Sequence, residues 1–243
     1  MYKENPSFIL PENNVKIWRY IDFTKFISML DKESLFFTRS DMFVDKFEGT
    51  YPLANRKKLD YEMMERLACD QSYLDFHNMV SFTNYSKQFI LVNCWHMNEY
   101  ESAAMWDLYL KSNEGIAIQS NVEKLIDSFS YSEEEVLIGK VHYIDFKKEC
   151  VDESDLYIPF TYKRKSFEHE RELRALHHIP YINEEVVSGK HGMEISCDIR
   201  KLVENIYIAP NAPDWFKELV ISMCEKFDLQ VPVIKSELSE IPY

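Results

Sequence analysis

A run of charged side chains over residues 162–174 offers the clearest candidate chemistry in the sequence. On a strand, the two-residue period places Glu168, Glu170, Glu172 and Arg174 on one face, whereas on a helix Glu170, Arg171 and Arg174 cluster instead. A carboxylate there can bind a sugar hydroxyl and stabilise a developing positive centre, while Lys165 and Arg174 hold an anion. Glu170 and Glu172 are therefore the catalytic candidates. The alternative is a solvated charged face whose ion pairs contribute little.

Two earlier segments carry further charged candidates. Arg19 lies between Trp18 and Tyr20 on an alternating segment. A guanidinium in that setting either holds a phosphate or carboxylate by a planar, bidentate contact or is an exposed side chain between two buried rings. Asp45 and Glu48 are three positions apart and are framed by phenylalanines. They form either an acid–base pair or the capping network of a loop, because aspartate readily binds local backbone.

Aromatic side chains accompany a histidine in the central part of the chain. Trp95 and His96 end an apolar run, and Trp106 and Tyr109 share one face of a helix. Rings of this kind either pack in the core or stack against a planar ligand. The expected ligand-binding set is therefore Arg19, Tyr20, Asp45, Glu48, Trp95, His96, Trp106, Tyr109, Lys165 and Arg174.

Several common cofactor and metal motifs are missing from the sequence. The five glycines form neither a Gly-x-Gly-x-x-Gly turn nor a phosphate-binding loop, and there is no His-Glu-x-x-His or Gly-x-Ser-x-Gly motif. His177 and His178 are adjacent, so their side chains point in different directions on a strand or a helix. We expect no metal site.

Composition limits the class of protein. The 243 residues include 41 Asp and Glu against 28 Lys and Arg, a net charge of −13, which argues against a broad surface for duplex nucleic acid but allows a local basic pocket for one anionic, nucleotide-like ligand. No apolar run has the length of a membrane helix or signal peptide, so we expect a cytoplasmic protein without a membrane partner. The oligomeric state stays open.

Hydrophobic periodicity predicts the elements that must position these residues. The pattern favours an α+β fold: a flexible arm at 1–14 and a single domain at 15–243, with a mixed central sheet and flanking helices. Strands are predicted at 15–21, 34–38, 89–95, 115–118, 136–146, 205–209 and 231–234, and an ordered loop at 41–55. Helices are predicted at 22–30, 57–67, 103–111, 122–129, 198–204 and 213–227, with Ser102 and Asn121 as N-caps.

Taken in order, these segments resemble an uncharacterised bacterial family, DUF2971, a domain of unknown function. The resemblance covers nearly the whole chain, but Cys94-Trp95-His96 replaces the usual Cys-Phe-Ser, and Asp45-Lys46 replaces a more typical Asp-Pro. It implies fold and boundaries and carries no established activity. The matching segments are Trp18-Arg19-Tyr20, Asp45-Lys46-Phe47-Glu48, Met105-Trp106-Asp107-Leu108-Tyr109 before Gly115-Ile116-Ala117-Ile118, Lys165 to Arg174, Ile206 to Pro210 and Val233 to Leu238.

Three functions are compatible with this constellation. The first is an NAD-using enzyme similar to ADP-ribosyltransferases, in which Arg19 binds the dinucleotide, aromatic rings contact nicotinamide, and Glu170 or Glu172 binds the ribose; its products would be nicotinamide and either ADP-ribosylated acceptor or hydrolysed NAD. The second is a nucleotide- or small-ligand-binding module without turnover. The third is a metal-dependent nuclease using Asp45, Glu48 and Glu170. Whether the protein is an enzyme stays open at this point.

Overall fold

The computed structural model of the protein describes residues 1–58, 82–110, 112–180 and 189–240. The α-helices with both ends in these ranges are α1 (Phe23–Lys32), α2 (Ala103–Tyr109), α3 (Val122–Ser128), α4 (Ile199–Leu202) and α5 (Asp214–Lys226). Residues 53–58 and 82–86 are also helical. The strands are β1 (Lys16–Asp22), β2 (Ser34–Arg39), β3 (Ile90–Met97), β4 (Gly115–Asn121), β5 (Leu137–Lys140), β6 (His142–Ile144), β7 (Tyr162–Arg164), β8 (Glu172–His178), β9 (Gly192–Ser196), β10 (Asn205–Ile208) and β11 (Val233–Lys235).

Nine of these strands form one mixed sheet. Its main path runs β11-β10-β4-β1-β3-β2-β9, and β8 joins it by pairing with β3, while β5 pairs with β8. The β10–β11 pair is parallel and the other pairs of this sheet are antiparallel. Strands β6 and β7 form a separate parallel pair. The predicted α+β fold with a mixed central sheet is confirmed.

The sheet splits beside the middle of β3. One edge of β3 pairs with β8 along residues 90–96. The other edge pairs with β2 only at residues 91 and 92, and with β1 only at residues 96 and 97. Residues 93–95 therefore have no strand on that edge in the described part of the chain. Strands β1 and β2 diverge there, and α1 connects them.

Both faces of the sheet are covered by apolar side chains. On β3, Leu91 and Trp95 pack into the main core, whereas Ile90 and Val92 pack with Phe160 in a second, smaller cluster. Successive strand residues point to opposite faces, so a strand covered on both sides is apolar at nearly every position. This explains the apolar run that predicted this strand.

The structure contains both N-caps predicted from the sequence, but it divides one long predicted strand. The Ser102 side chain accepts a hydrogen bond from Met105 N, and Asn121 accepts one from Lys124 N, so both predicted N-caps are present. The strand predicted over 136–146 is instead divided, because β5 pairs with β8, a ladder that Val141 N continues by donating to Glu172 O at 2.8 Å, whereas β6 pairs with β7 in a different sheet. The helix predicted at 57–67 lies largely outside the described residues.

The first residues of the chain lie beside β5. Lys3 N donates to Val136 O at 2.9 Å, Val136 N donates to Met1 O at 3.0 Å, and Lys140 N donates to Ile9 O at 3.0 Å. The flexibility expected of residues 1–14 stays a prediction. Among the helices that the structure describes, none combines the length and the apolar character needed to span a bilayer.

Candidate functional site

A cleft of about 1260 Å³ opens where β1 and β2 separate along β3. Side chains from β1, β2, α1, β3, α2 and the segments at 42–48 and 163–174 line it. Most of the residues predicted to form a site meet in this one cleft, although they are distant in sequence. They are Arg19, Tyr20, Asp45, Glu48, Trp95, His96, Tyr109, Glu170, Glu172 and Arg174.

Trp106 and Lys165 were predicted to bind ligand but do not line the cleft. Trp106 is buried behind Tyr20, with the ring centroids 4.9 Å apart, and its indole N–H donates to the Glu101 carboxylate at 2.7 Å. Lys165 is exposed, and its Nζ lies 3.8 Å from a Glu149 carboxylate oxygen. Trp106 therefore supports the wall of the cleft from behind, and Lys165 lies on a different surface.

Five buried ionic side chains form one cluster at the base of the cleft. Lys163 Nζ lies 2.7 Å from Glu170, 2.7 Å from Glu172 and 3.1 Å from Glu48. Arg174 donates through Nε to Glu172 at 2.7 Å and through a second nitrogen to Glu48. Each of these side chains is less than 10% exposed. Two cations and three carboxylates therefore compensate one another away from water, with one negative charge in excess when all three carboxylates are ionised.

Lys163 is the member of this cluster that the sequence did not single out. It lies on β7 as a buried residue between two partly exposed neighbours. The signal available in the sequence is one of charge balance, because three buried glutamates need more than Arg174 to compensate them. Nothing in the local basic run distinguishes Lys163 from Lys165.

The segment that carries the two glutamates is neither of the predicted regular elements. Lys165–Glu170 is a 3-10 helix, Arg171 has a left-handed backbone with φ of 41°, and β8 begins at Glu172. The sequence predicted that regular strand alternation would bring Glu170 and Glu172 to one face, and this is not what the structure shows. The two carboxylates meet because both bind the ammonium of Lys163. Met97 N donates to Arg171 O at 2.9 Å and ties this turn to β3.

The environment drives the pKa values of the two glutamates in opposite directions. Burial, and then the contact with the Glu172 carboxylate, raises the pKa of Glu170 to about 7, against the pull of Lys163. Burial also opposes ionisation of Glu172, but Arg174 and Lys163 outweigh it and hold the pKa of Glu172 well below its usual range. Glu170 therefore exchanges a proton near neutral pH, whereas Glu172 is a fixed anion.

Arg19 supplies a cation that no carboxylate of the described residues neutralises. Its guanidinium spans the split in the sheet and donates to Cys94 O at 2.7 Å, and it lies 6.0 Å from the centroid of the Trp95 ring. Among the described residues Arg19 forms no ion pair, and burial lowers its pKa. The Trp95 indole N–H also lacks a partner in the described part of the chain. Two donors are thus available for a phosphate or another oxygen-rich group.

Tyr20 and His96 form an aromatic wall of the cleft. Their ring centroids are 6.4 Å apart, and the Tyr20 hydroxyl accepts a hydrogen bond from Ser102 N at 2.7 Å. His96 Nδ1 lies 2.7 Å from Glu170 O, and burial lowers the pKa of His96. The histidine side chain is therefore neutral at pH 7 and is attached to the backbone of Glu170.

A loop at 43–48 closes one side of the cleft. Arg164 donates to both Asp45 carboxylate oxygens, at 2.9 and 3.1 Å, and Asp45 also accepts from Phe47 N at 3.1 Å. The contact between Asp45 and Phe47 N is of the kind predicted for a loop network, whereas the Glu48 carboxylate binds the remote Lys163 and Arg174. Gly49 follows with φ of 65°, a conformation that favours glycine.

The described residues contain no group of three or more His, Cys, Asp or Glu side chains arranged to hold a metal ion. The carboxylates proposed for a nuclease each bind a cationic side chain, Asp45 through Arg164 and Glu48 through Arg174. A metal ion at that position would have to displace these partners.

Among known proteins, the chain is similar to solved structures in the course of its backbone. No protein-family model matches the chain, and no curated protein matches it in sequence. DarT from Thermus sp. 2.9 in complex with carba-NAD⁺ has a TM-score of 0.41 and 7% identity, over 94% of this chain and 98% of that chain. DarT in complex with ADP-ribosylated ssDNA has a TM-score of 0.43 and 7% identity, over 95% and 97%. At these values the argument for function rests on the side chains of the cleft.

Proposed function

We propose that the cleft binds a nicotinamide dinucleotide and that the protein breaks the bond between nicotinamide and ribose. The observation that carries the proposal is the meeting, in one cleft, of a guanidinium that forms no ion pair within the described ranges and a glutamate whose pKa is about 7. Arg19 supplies a positive charge for the pyrophosphate. Tyr20, Trp95 and Tyr109 supply aromatic surface for planar rings.

The reaction assigned to the cleft is a displacement at the ribose carbon that carries nicotinamide. The carbon–nitrogen bond breaks, its electron pair leaves with the pyridine nitrogen, and neutral nicotinamide departs. The carbon passes through an oxocarbenium-like state and bonds to an oxygen of water or of an acceptor. Ionised Glu170 stabilises the positive centre and takes the proton that this oxygen releases.

Glu170, rather than Glu172, is assigned this role because of its partners. Glu172 binds both Lys163 and Arg174 and is fully buried, so its charge is already committed. Glu170 binds Lys163 through one oxygen and titrates near neutral pH. Spacing in the sequence left the choice between the two open, and their environments support Glu170.

A binding module without turnover is the second candidate. The observation that favours it is the mutual neutralisation of the buried cluster, which resembles a structural lattice under the cleft. In that case Arg19 binds the ligand and the glutamates only hold the walls in place.

Release of nicotinamide from NAD⁺ separates the two candidates. Purified protein is incubated with NAD⁺, with and without cell extract as a source of acceptor, at pH values from 5.5 to 8.5. We expect release by the wild type to rise as Glu170 ionises through about pH 7. Glu170→Gln should abolish release, whereas Glu168→Gln, at an exposed site in the same turn, should not change it.

Binding of NAD⁺ without release, by wild type and Glu170→Gln alike, would leave the binding module as the function. Release that is unaffected by Glu170→Gln would remove Glu170 from the mechanism. If the protein neither binds NAD⁺ nor releases nicotinamide, the proposal that the cleft binds a nicotinamide dinucleotide is refuted.

A further inference from the structure

We propose that His96 selects the uncharged carboxamide of the nicotinamide ring by accepting a hydrogen bond at Nε2. This inference rests on the proposed function, and it assigns the part of the dinucleotide that distinguishes it from its carboxylate analogue. It follows from the fixed tautomer of a buried histidine in the wall of the cleft.

The tautomer is set by the backbone of Glu170. Nδ1 of His96 lies 2.7 Å from Glu170 O. A carbonyl oxygen can only accept, so Nδ1 carries the hydrogen and donates it. Because the imidazole is neutral, Nε2 then has a lone pair and no hydrogen, and it is the one polar atom that His96 can offer to another molecule.

That lone pair has no partner within the described residues. His96 is 6% exposed, and Nε2 is withdrawn from solvent without a hydrogen bond. A buried acceptor without a donor destabilises the protein relative to the same atom in water, and a ligand that supplies an N–H or O–H removes that penalty. The cleft therefore favours a hydrogen-bond donor beside His96.

The position of His96 relative to Glu170 indicates which donor this is. The imidazole contacts the main chain of the residue whose carboxylate is assigned to the ribose carbon, so the two act on neighbouring groups of the ligand. The group attached to the ring on that side of the sugar is the carboxamide, which presents an N–H. A carboxylate at the same place presents only acceptors, and its charge would lie near the buried glutamates.

The test compares NAD⁺ with nicotinic acid adenine dinucleotide, which shares every sugar and phosphate group and replaces the carboxamide by a carboxylate. Dissociation constants are measured by calorimetry at pH 8 in the Glu170→Gln variant, which prevents turnover and retains the backbone carbonyl that orients His96. We expect NAD⁺ to bind at least about tenfold more tightly, the ratio typical of one buried hydrogen bond. Adding His96→Phe should reduce the ratio to within about twofold.

The ratio of the two dissociation constants distinguishes direct recognition of the carboxamide by His96 from a role of His96 in positioning the turn at Glu170. If His96 only held the turn at Glu170 in place, His96→Phe would weaken both dinucleotides equally and leave their ratio unchanged, which would overturn the inference. Equal affinities before His96 is replaced would overturn it too, while dinucleotide binding itself would stand. If neither dinucleotide binds, the proposed function fails and this inference fails with it.

Discussion

Glu170 and Glu172, two of the three glutamates in the buried cluster, should respond in opposite ways to the same substitution. Replacing Glu172 by glutamine removes the carboxylate that binds both Lys163 and Arg174 at 2.7 Å. The two cations then share fewer anions in a site closed to water. Breaking a buried pair from one side costs about 3–5 kcal/mol of unfolding free energy, and we expect Glu172→Gln to fall in this range.

Glu170→Gln should instead stabilise the protein at pH 8. Ionising Glu170 in the folded protein, where its pKa is about 7 instead of the usual 4.5, is unfavourable by about 3 kcal/mol. This penalty already includes the attraction of Lys163, which lowers the pKa of Glu170. Glutamine stays uncharged and avoids the penalty, so the free energy of unfolding should rise by up to about 3 kcal/mol.

The dependence on pH provides a second signature of the same difference. Because its folded pKa is raised, Glu170 binds more protons in the folded than in the unfolded state between about pH 4.5 and 7, so its contribution to stability falls as pH rises through that window. Glu172 has a lowered folded pKa, so its contribution is present above the unfolded pKa and is lost as pH falls towards the folded one. From pH 5 to pH 8, Glu170→Gln should therefore gain about 2–3 kcal/mol relative to wild type.

Urea unfolding followed by circular dichroism at pH 5 and pH 8 measures these differences, with the slope of the transition checked for constancy between variants. A loss for Glu170→Gln at pH 8 as large as the loss for Glu172→Gln would refute the reasoning. A neutral Glu172→Gln variant would refute it equally, since the cluster would then not depend on that carboxylate.

Three further substitutions test the cleft and the loop beside it. Arg19→Gln should weaken NAD⁺ binding about 10–100-fold, because a charged hydrogen bond to the ligand is lost. The urea midpoint should change little, because no ion pair among the described residues is broken. Unchanged affinity in calorimetry would exclude Arg19 from the site. Asp45→Asn should lower the unfolding free energy by only about 1 kcal/mol, because Arg164 is 38% exposed and solvent screens the pair; a loss several times larger in urea would contradict this. Gly49→Ala should lower the free energy of unfolding by about 2–4 kcal/mol, because φ is 65° and a Cβ would lie 2.5 Å from a buried phenylalanine ring. Gly189→Ala is the control in thermal unfolding, because Gly189 has a similar φ and open space around it. Equal losses in melting temperature for the two variants would refute the contribution of the steric clash.

Features determined by neighbouring residues could be predicted from the sequence. The apolar run before Trp95 indicates a buried strand, and the caps at Ser102 and Asn121 require only a side chain and the amide three positions later. The residue types that line the cleft were also found, because arginine, glutamate and aromatic residues between apolar segments are the groups that bind ligands. These inferences require no knowledge of which strands pair.

Features determined by remote partners could not be predicted. The segment predicted as one strand over 136–146 is divided because β5 pairs with β8 and β6 pairs with β7, and both partners are distant in sequence. The left-handed backbone of Arg171 leaves no pattern that a two-residue or helical period would reveal. Lys163 differs from its basic neighbours only in being enclosed by three glutamates from two other parts of the chain. Each of these depends on the tertiary fold rather than on local propensity.

The split in the sheet explains how a chain of net charge −13 can hold an anion. At about 0.15 M salt, charges farther apart than roughly 8 Å are largely screened, so a ligand responds to the groups of the cleft and not to the whole surface. Lys163 and Arg174 are neutralised by carboxylates, whereas Arg19 lies where β1 and β3 separate and binds a backbone carbonyl instead. Had the two strands remained paired, Cys94 O would be available to a strand partner and the guanidinium would have no cleft to face. The same departure from regular pairing thus creates both the space and the unpaired charge on which the proposed function depends.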